Sequence, residues 1–162
     1  MSIKLNQTTK QNSFTLLEIM IVVSIIGVLT VIAIPWFTRA RETAQNNRFL
    51  NDVRVAVNAF EQYNLEYNSY PPDQTPGVIP PNMEVYLVKF RWTNTTSIGG
   101  QWDWDYLQFG CTSGVSVYRP KANDSRMEKI DSMIDDGDLG SGFFRKRLDG
   151  YISIIEGIPP PT

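Results

Sequence analysis

The chain has 162 residues, with 15 lysines and arginines against 17 aspartates and glutamates, no histidine and one cysteine. That length suits one domain with a modest core, and a formal charge of −2 gives no reason to expect a nucleic-acid partner. Without histidine there is no imidazole for a hydrolase triad, a general base or a zinc ligand, and Cys111 alone cannot close an intramolecular disulfide.

Residues 1–13 read as a short polar leader that carries Lys4 and Lys10 and no acid. Positive charge ahead of an apolar run keeps the leader cytoplasmic and sends the remainder across the membrane. Residues 19–37 then contain no charged side chain. As an α-helix this run measures about 28 Å, close to the hydrocarbon thickness of a bilayer, and it is apolar on every face. Arg39, Arg41 and Glu42 follow in a polar helical stretch, not in a small-residue cleavage site, which points to retention of the span. Trp36 and Phe37 read as an aromatic interface anchor.

Glu18 stands at the head of the run, within Ser13-Phe14-Thr15-Leu16-Leu17-Glu18. A carboxylate at the centre of a span costs about 2.5–3.5 kcal/mol, and less near an end. Such a group calls for a partner. Two are open: a free amine made by cutting the chain just before Phe14, or the water of the headgroup layer.

These residues, followed by the apolar run and Pro35, resemble the N-terminal signal of type IV pilins and type II secretion pseudopilins. The resemblance covers residues 1–58 well and the rest loosely. It implies that a prepilin peptidase cuts between Ser13 and Phe14 and methylates the new N-terminus. The family normally has glycine before the cut, where this chain has Ser13. The resemblance further implies that Glu18 registers the subunit in a filament, that Gly27 lies where the helix can unwind locally, and that Pro35 marks a kink. Implied partners are copies of the chain in a homo-oligomeric filament, other pseudopilins, the peptidase, the secretion platform of the inner membrane and membrane lipid.

Beyond the span, Leu50, Val53, Val57, Phe60 and Tyr67 recur at three- and four-residue spacing and predict one long helix to about Tyr67, bent at Pro35. Pro71-Pro72 forbids its continuation. Residues 81–87 read as a short helix and Phe90-Arg91-Trp92 as a strand. Trp102-Asp103-Trp104-Asp105-Tyr106 alternates with period two and predicts a half-buried strand, and residues 112–118 predict another. Ser125 with Glu128 reads as a capping box for a helix through Met127, Ile130 and Ile134 that stops at Gly137. Residues 150–156 read as a last strand, and 157–162 as a proline-rich tail.

The expected fold is thus α+β: a long N-terminal helix packed against a small antiparallel sheet head, as in pilins. Its parts are a leader (1–13), a transmembrane and filament-core helix (14–37), and a periplasmic head (38–162).

Trp92, Trp102, Trp104 and Tyr106 offer either a glycan or protein platform or, as such stripes more often do, a cover for the helix. Asp131, Asp135, Asp136 and Asp138 beside Gly137 and Gly140 supply oxygen ligands for Ca²⁺, or form a solvated helix end. Their spacing is not that of an EF-hand. Major pseudopilins often bind calcium near the C-terminus, so the resemblance raises the first reading, although such clusters are more often a solvated helix end. Arg145, Lys146 and Arg147 read as a solvated basic face, or as partners for acids of a neighbouring subunit. Cys111 reads as a half-buried small apolar residue. Asn94-Thr95-Thr96 is a glycosylation sequon, a weak signal in a bacterial chain.

The function expected is a non-enzymatic structural subunit of a type II secretion pseudopilus. It would be single-pass in the bacterial inner membrane before it joins the filament. The rivals are a type IV pilus subunit for adhesion, motility or DNA uptake, and a membrane-tethered binding module.

Overall fold

The computed structural model describes residues 14–157; the leader with Ser13 and the tail from residue 158 lie outside the described residues. The chain divides into two units, Met1–Arg41 and Glu42–Thr162. Helix α1 runs from Leu16 to Tyr67 and remains helical through Pro35.

In the first unit the apolar side chains are exposed along the whole run, among them Ile19, Ile26, Leu29, Ile34, Trp36 and Phe37. The helix is long and apolar enough to cross a membrane. Its few hydroxyls turn inward on the backbone. Ser24 Oγ donates to the Met20 carbonyl and Thr30 Oγ1 to the Ile26 carbonyl, both at 2.7 Å. No solvent is needed to satisfy them, as a lipid environment requires.

In the second unit one stripe of α1 is buried: Phe49, Leu50, Val53, Ala56, Phe60 and Tyr63. Two residues of the expected stripe are not fully buried. Val57 is only partly covered, and Tyr67 is exposed and leans on the Tyr63 ring at 4.6 Å. The helix stops before Pro71-Pro72. Asn68 adopts φ 51° and its N–H reaches the Asn64 carbonyl at 2.7 Å, an αL stop.

Strands β1 (Gln101–Tyr106), β2 (Ser113–Tyr118), β3 (Phe144–Arg147) and β4 (Gly150–Glu156) form one antiparallel sheet in the order β1-β2-β4-β3. Alternation on β1 sends Trp102 and Trp104 inward. Trp104 stacks on Phe60 at 3.7 Å and Trp102 on Phe49 at 5.6 Å, so the aromatic stripe forms the core between sheet and helix. The indole N–H groups find carbonyls, Trp104 on Pro71 and Trp92 on Val78.

Two expected elements are replaced by turns. Residues 81–87 form consecutive turns around buried Met83 and Leu87, with Met83 N–H on the Pro80 carbonyl at 3.1 Å and Leu87 N–H on the Met83 carbonyl at 2.9 Å. Asn82 at φ 65° breaks any helical start. Phe90-Arg91-Trp92 is not a strand, because its N–H groups bond locally: Phe90 to Leu87, Trp92 to Phe90. Helix α2 (Asp124–Ile134) is capped by Asn123, whose side chain accepts from Arg126 N at 3.1 Å, so the cap lies two residues before the expected Ser125. Cys111 is buried with Ile152 and Ile154, its thiol on the Gln108 carbonyl at 3.3 Å.

Candidate functional site

The head of α1 is built by its own side chains. Thr15 N–H and Oγ1 both donate to Glu18 Oε2, at 2.9 and 3.0 Å, and Glu18 N–H donates to Thr15 Oγ1 at 3.2 Å. This is a reciprocal capping box, with threonine as the cap and glutamate three residues on. Glu18 therefore has a partner within the chain, which neither open reading of the sequence supplied. The Thr15-x-x-Glu18 spacing is the signal that carries this cap in the sequence. Phe14 stands just outside the helix and is exposed. Gly27 has an open flank: a Cβ placed there would meet nothing within 4 Å.

In the head, the last turns of α2 and the loop after it gather three acids. One oxygen each from Asp131, Asp135 and Asp136 lies within 4.8 Å of the others. Asp131 is fully buried, and neither of its carboxylate oxygens has a hydrogen-bond partner among the described residues. Burial first, then the charges of Asp136 and Asp135, push its carboxyl up to about 6, against the weaker pull of the Gly137 amide, which stands outside hydrogen-bond geometry; Asp138 adds to the rise. The other two acids are held by the loop. Asp135 Oδ2 accepts from the Phe143 N–H and, at 3.4 Å, from Phe144. Asp136 accepts from Asp138 N at 2.9 Å and from the Ser141 hydroxyl at 2.5 Å. Asp138 stands apart from the trio and turns its Oδ1 to Gly140 N at 2.9 Å. Gly142, at φ 70°, lets the loop close on Asp135: an added Cβ would come within 1.8 Å of its Oδ2.

An all-oxygen, all-anionic donor set suits a hard divalent cation such as Ca²⁺. A buried carboxylate with both oxygens unpaired is costly unless a cation meets it. The residues present therefore fit calcium, with Asp131 as the ligand that most needs it.

The other sequence candidates resolve differently. Trp92, Trp102 and Trp104 are buried, which leaves no exposed tryptophan platform on that cluster. Of the basic run, only Lys146 is an exposed residue. Arg147 is buried and donates to Asp103 Oδ2 at 2.5 Å, with Asp105 Oδ2 at 3.6 Å. Lys146 pairs with Asp124 at 2.5 Å, and Arg145 Nε donates to the Gly142 carbonyl at 2.7 Å. The Asp103–Asp105–Arg147 group was missed. The strand alternation placed both acids on the outward face, but no signal joined them to an arginine more than forty positions away.

Comparison with known proteins adds the context. Residues 8–34 match the prokaryotic N-terminal methylation motif. The chain is similar to type II secretion system core protein G of Escherichia coli, 41% identical over 64 residues, which is 40% of this chain and 44% of that protein. It is 35% identical to the Aeromonas hydrophila protein of the same name over 65 residues (40% and 46%). It is 37% identical to that of Vibrio cholerae over 62 residues (38% and 42%). The chain thus matches less than half the length of these relatives. No solved structure matches it.

Proposed function

We propose that this chain is a structural, non-enzymatic subunit of a type II secretion pseudopilus. A prepilin peptidase would process it between Ser13 and Phe14, and it would assemble with copies of itself and with other pseudopilins through the apolar half of α1. The observation that carries the reading is that exposed apolar half itself, headed by Phe14 and a capped Glu18 and overlapping the methylation motif. An all-round apolar helix needs either lipid or other helices around it. The chain would wait in the inner membrane with its leader cytoplasmic and its head periplasmic. It would exchange lipid for neighbouring helices when the filament grows. Similarity to core protein G supports the secretion filament over an adhesive or motile pilus.

Mass spectrometry of the mature N-terminus tests this reading. The expected product begins with methylated Phe14; a chain that keeps residues 1–13 in cells with an active prepilin peptidase overturns it. A second variant separates the two uses of Glu18. Glutamine at the third helical position can still close the box, so Glu18→Gln should preserve the start of α1 and membrane insertion. Without a charge to meet a neighbour's amine, it should assemble into filaments at least about tenfold less well, the loss expected for one desolvated charge-assisted bond. Wild-type assembly of that variant would confine Glu18 to capping.

We also propose that Asp131, Asp135 and Asp136 hold a calcium ion that ties the end of α2 to the loop entering β3. Support comes from the buried, unpartnered carboxylate of Asp131 and from the convergence of the three acids.

A further inference from the structure

The outward face of the sheet carries a second built feature, independent of the filament reading. A cleft of about 570 Å³ opens between the loop at residues 73–76 and the turn at 108–109, with Asp103, Asp105 and Arg147 at its base. Its volume falls within the range of about 300–1,000 Å³ typical of ligand sites. The side chains of Asp103, Asp105 and Arg147 are all more than nine-tenths buried.

The charges do not balance. Asp73, Asp103 and Asp105 face one cation, Arg147. Arg119 lies over the Tyr118 ring at 5.1 Å but is engaged with Asp149 at 3.7 Å. Asp103 Oδ1 is buried without a hydrogen-bond partner, and Arg147 Nε is likewise unmatched by a hydrogen bond. The Arg147 guanidinium lies over the Phe109 ring at 4.6 Å and sits closer to Asp103 than to Asp105. Phe109 itself is about half exposed and held at φ 49°. The cleft is therefore electronegative at its base and apolar at one wall.

That combination selects an organic cation over a metal. Among the described residues, only the Asp131 group brings three acidic ligand atoms within 4.8 Å of one another, so the cleft acids are too dispersed to share one ion. A guanidinium would set its planar fork against Arg147. An alkylammonium is compact, has three donors for separated acceptors, and carries a methylene stem to lay along Phe109. We propose that this cleft is a docking site for a lysine side chain on a basic segment of a partner protein.

The test is calorimetric titration of the full-length chain in detergent at pH 7.5, calcium present throughout, with a tri-lysine peptide blocked at both ends. The peptide should bind, and its Nε-acetylated counterpart should not. Asp73→Asn keeps an acceptor for the Tyr106 N–H, which Asp73 Oδ1 receives at 3.1 Å, and so should fold. It should weaken binding about fivefold, the effect of one charge near a protein surface. Glu84→Gln, at an exposed acid away from the cleft, should leave binding unchanged. Equal binding of the acetylated peptide, no binding of tri-lysine, or loss with Glu84→Gln but not with Asp73→Asn would each overturn the proposal. So would binding of free spermidine with tri-lysine silent, which would mark a small-amine site.

Discussion

The head holds two clusters of buried or half-buried acids that differ in one respect. On the outer face of the sheet, Asp103 and Asp105 have a cation from their own chain, Arg147, within 2.5 and 3.6 Å. At the end of α2, Asp131 has none: its neighbours are Asp135, Asp136 and Asp138, and both its oxygens go unpaired. Burial raises the carboxyl in both places, Asp103 and Asp131 each to about 6. The lesson is that burial alone does not tell a structural ion pair from a metal site. What distinguishes them is whether the fold supplies at least one counter-charge or leaves all of it to be recruited.

The sharpest way to break that contrast is to remove the internal cation. Arg147→Ala would leave two buried carboxylates with no counter-ion and should cost about 3–5 kcal/mol of stability at pH 7.5, the usual price of a half-broken buried pair. Urea unfolding would measure it. A loss below about 1 kcal/mol would mean that the acids are already solvated.

The next effect concerns the recruited cation. At a hundredfold excess over its dissociation constant, calcium should stabilise the head by about 2.7 kcal/mol and raise its melting temperature by on the order of 10 °C. Asp131→Asn should abolish that response while making the calcium-free protein more stable, because an uncompensated charge is gone. A melting temperature indifferent to chelator would remove the calcium proposal.

The smallest effect is a pH dependence. Desolvation, followed by Asp105, raises Asp103 against the opposing pull of Arg147, and Asp73 adds to the rise. Since the folded-state value near 6 lies above the ordinary 3.8, the folded protein binds the extra proton. The contribution is then full below about pH 4 and is lost as pH rises through 6. The loss should be about 1–2 kcal/mol once some solvent relaxation is allowed for. Asp103→Asn should flatten that part of the profile, read from thermal melts between pH 4 and 7. An unchanged slope would assign the dependence to another group.

Much of the fold was legible because it rests on local periodicity. Strand β1 follows from the alternation of tryptophan and aspartate, β4 from its apolar run, and α2 from Met127, Ile130 and Ile134 at three- and four-residue spacing. Strand β3 was not legible. Phe144–Arg147 is a short, charged edge strand, and charge on an edge reads from sequence as plain surface. The turn around Met83 and the local bonding at Phe90 were equally hidden, since buried side chains in irregular backbone have no period to reveal them.

The candidate sites divide in the same way. By itself the sequence determined the membrane-length apolar helix, the position of Glu18 at its head, and the acids clustered around Gly137. Each lies in one contiguous stretch, where spacing along the chain is spacing in space. Only the tertiary structure decided that Trp92, Trp102 and Trp104 are core, that Arg147 serves Asp103 and Asp105, and that Asp131 is the acid left without a partner. Those outcomes depend on which face of a strand meets α1 and on contacts between distant segments. No local pattern encodes them, because burial and counter-charge are supplied by residues that the chain brings together only when it folds.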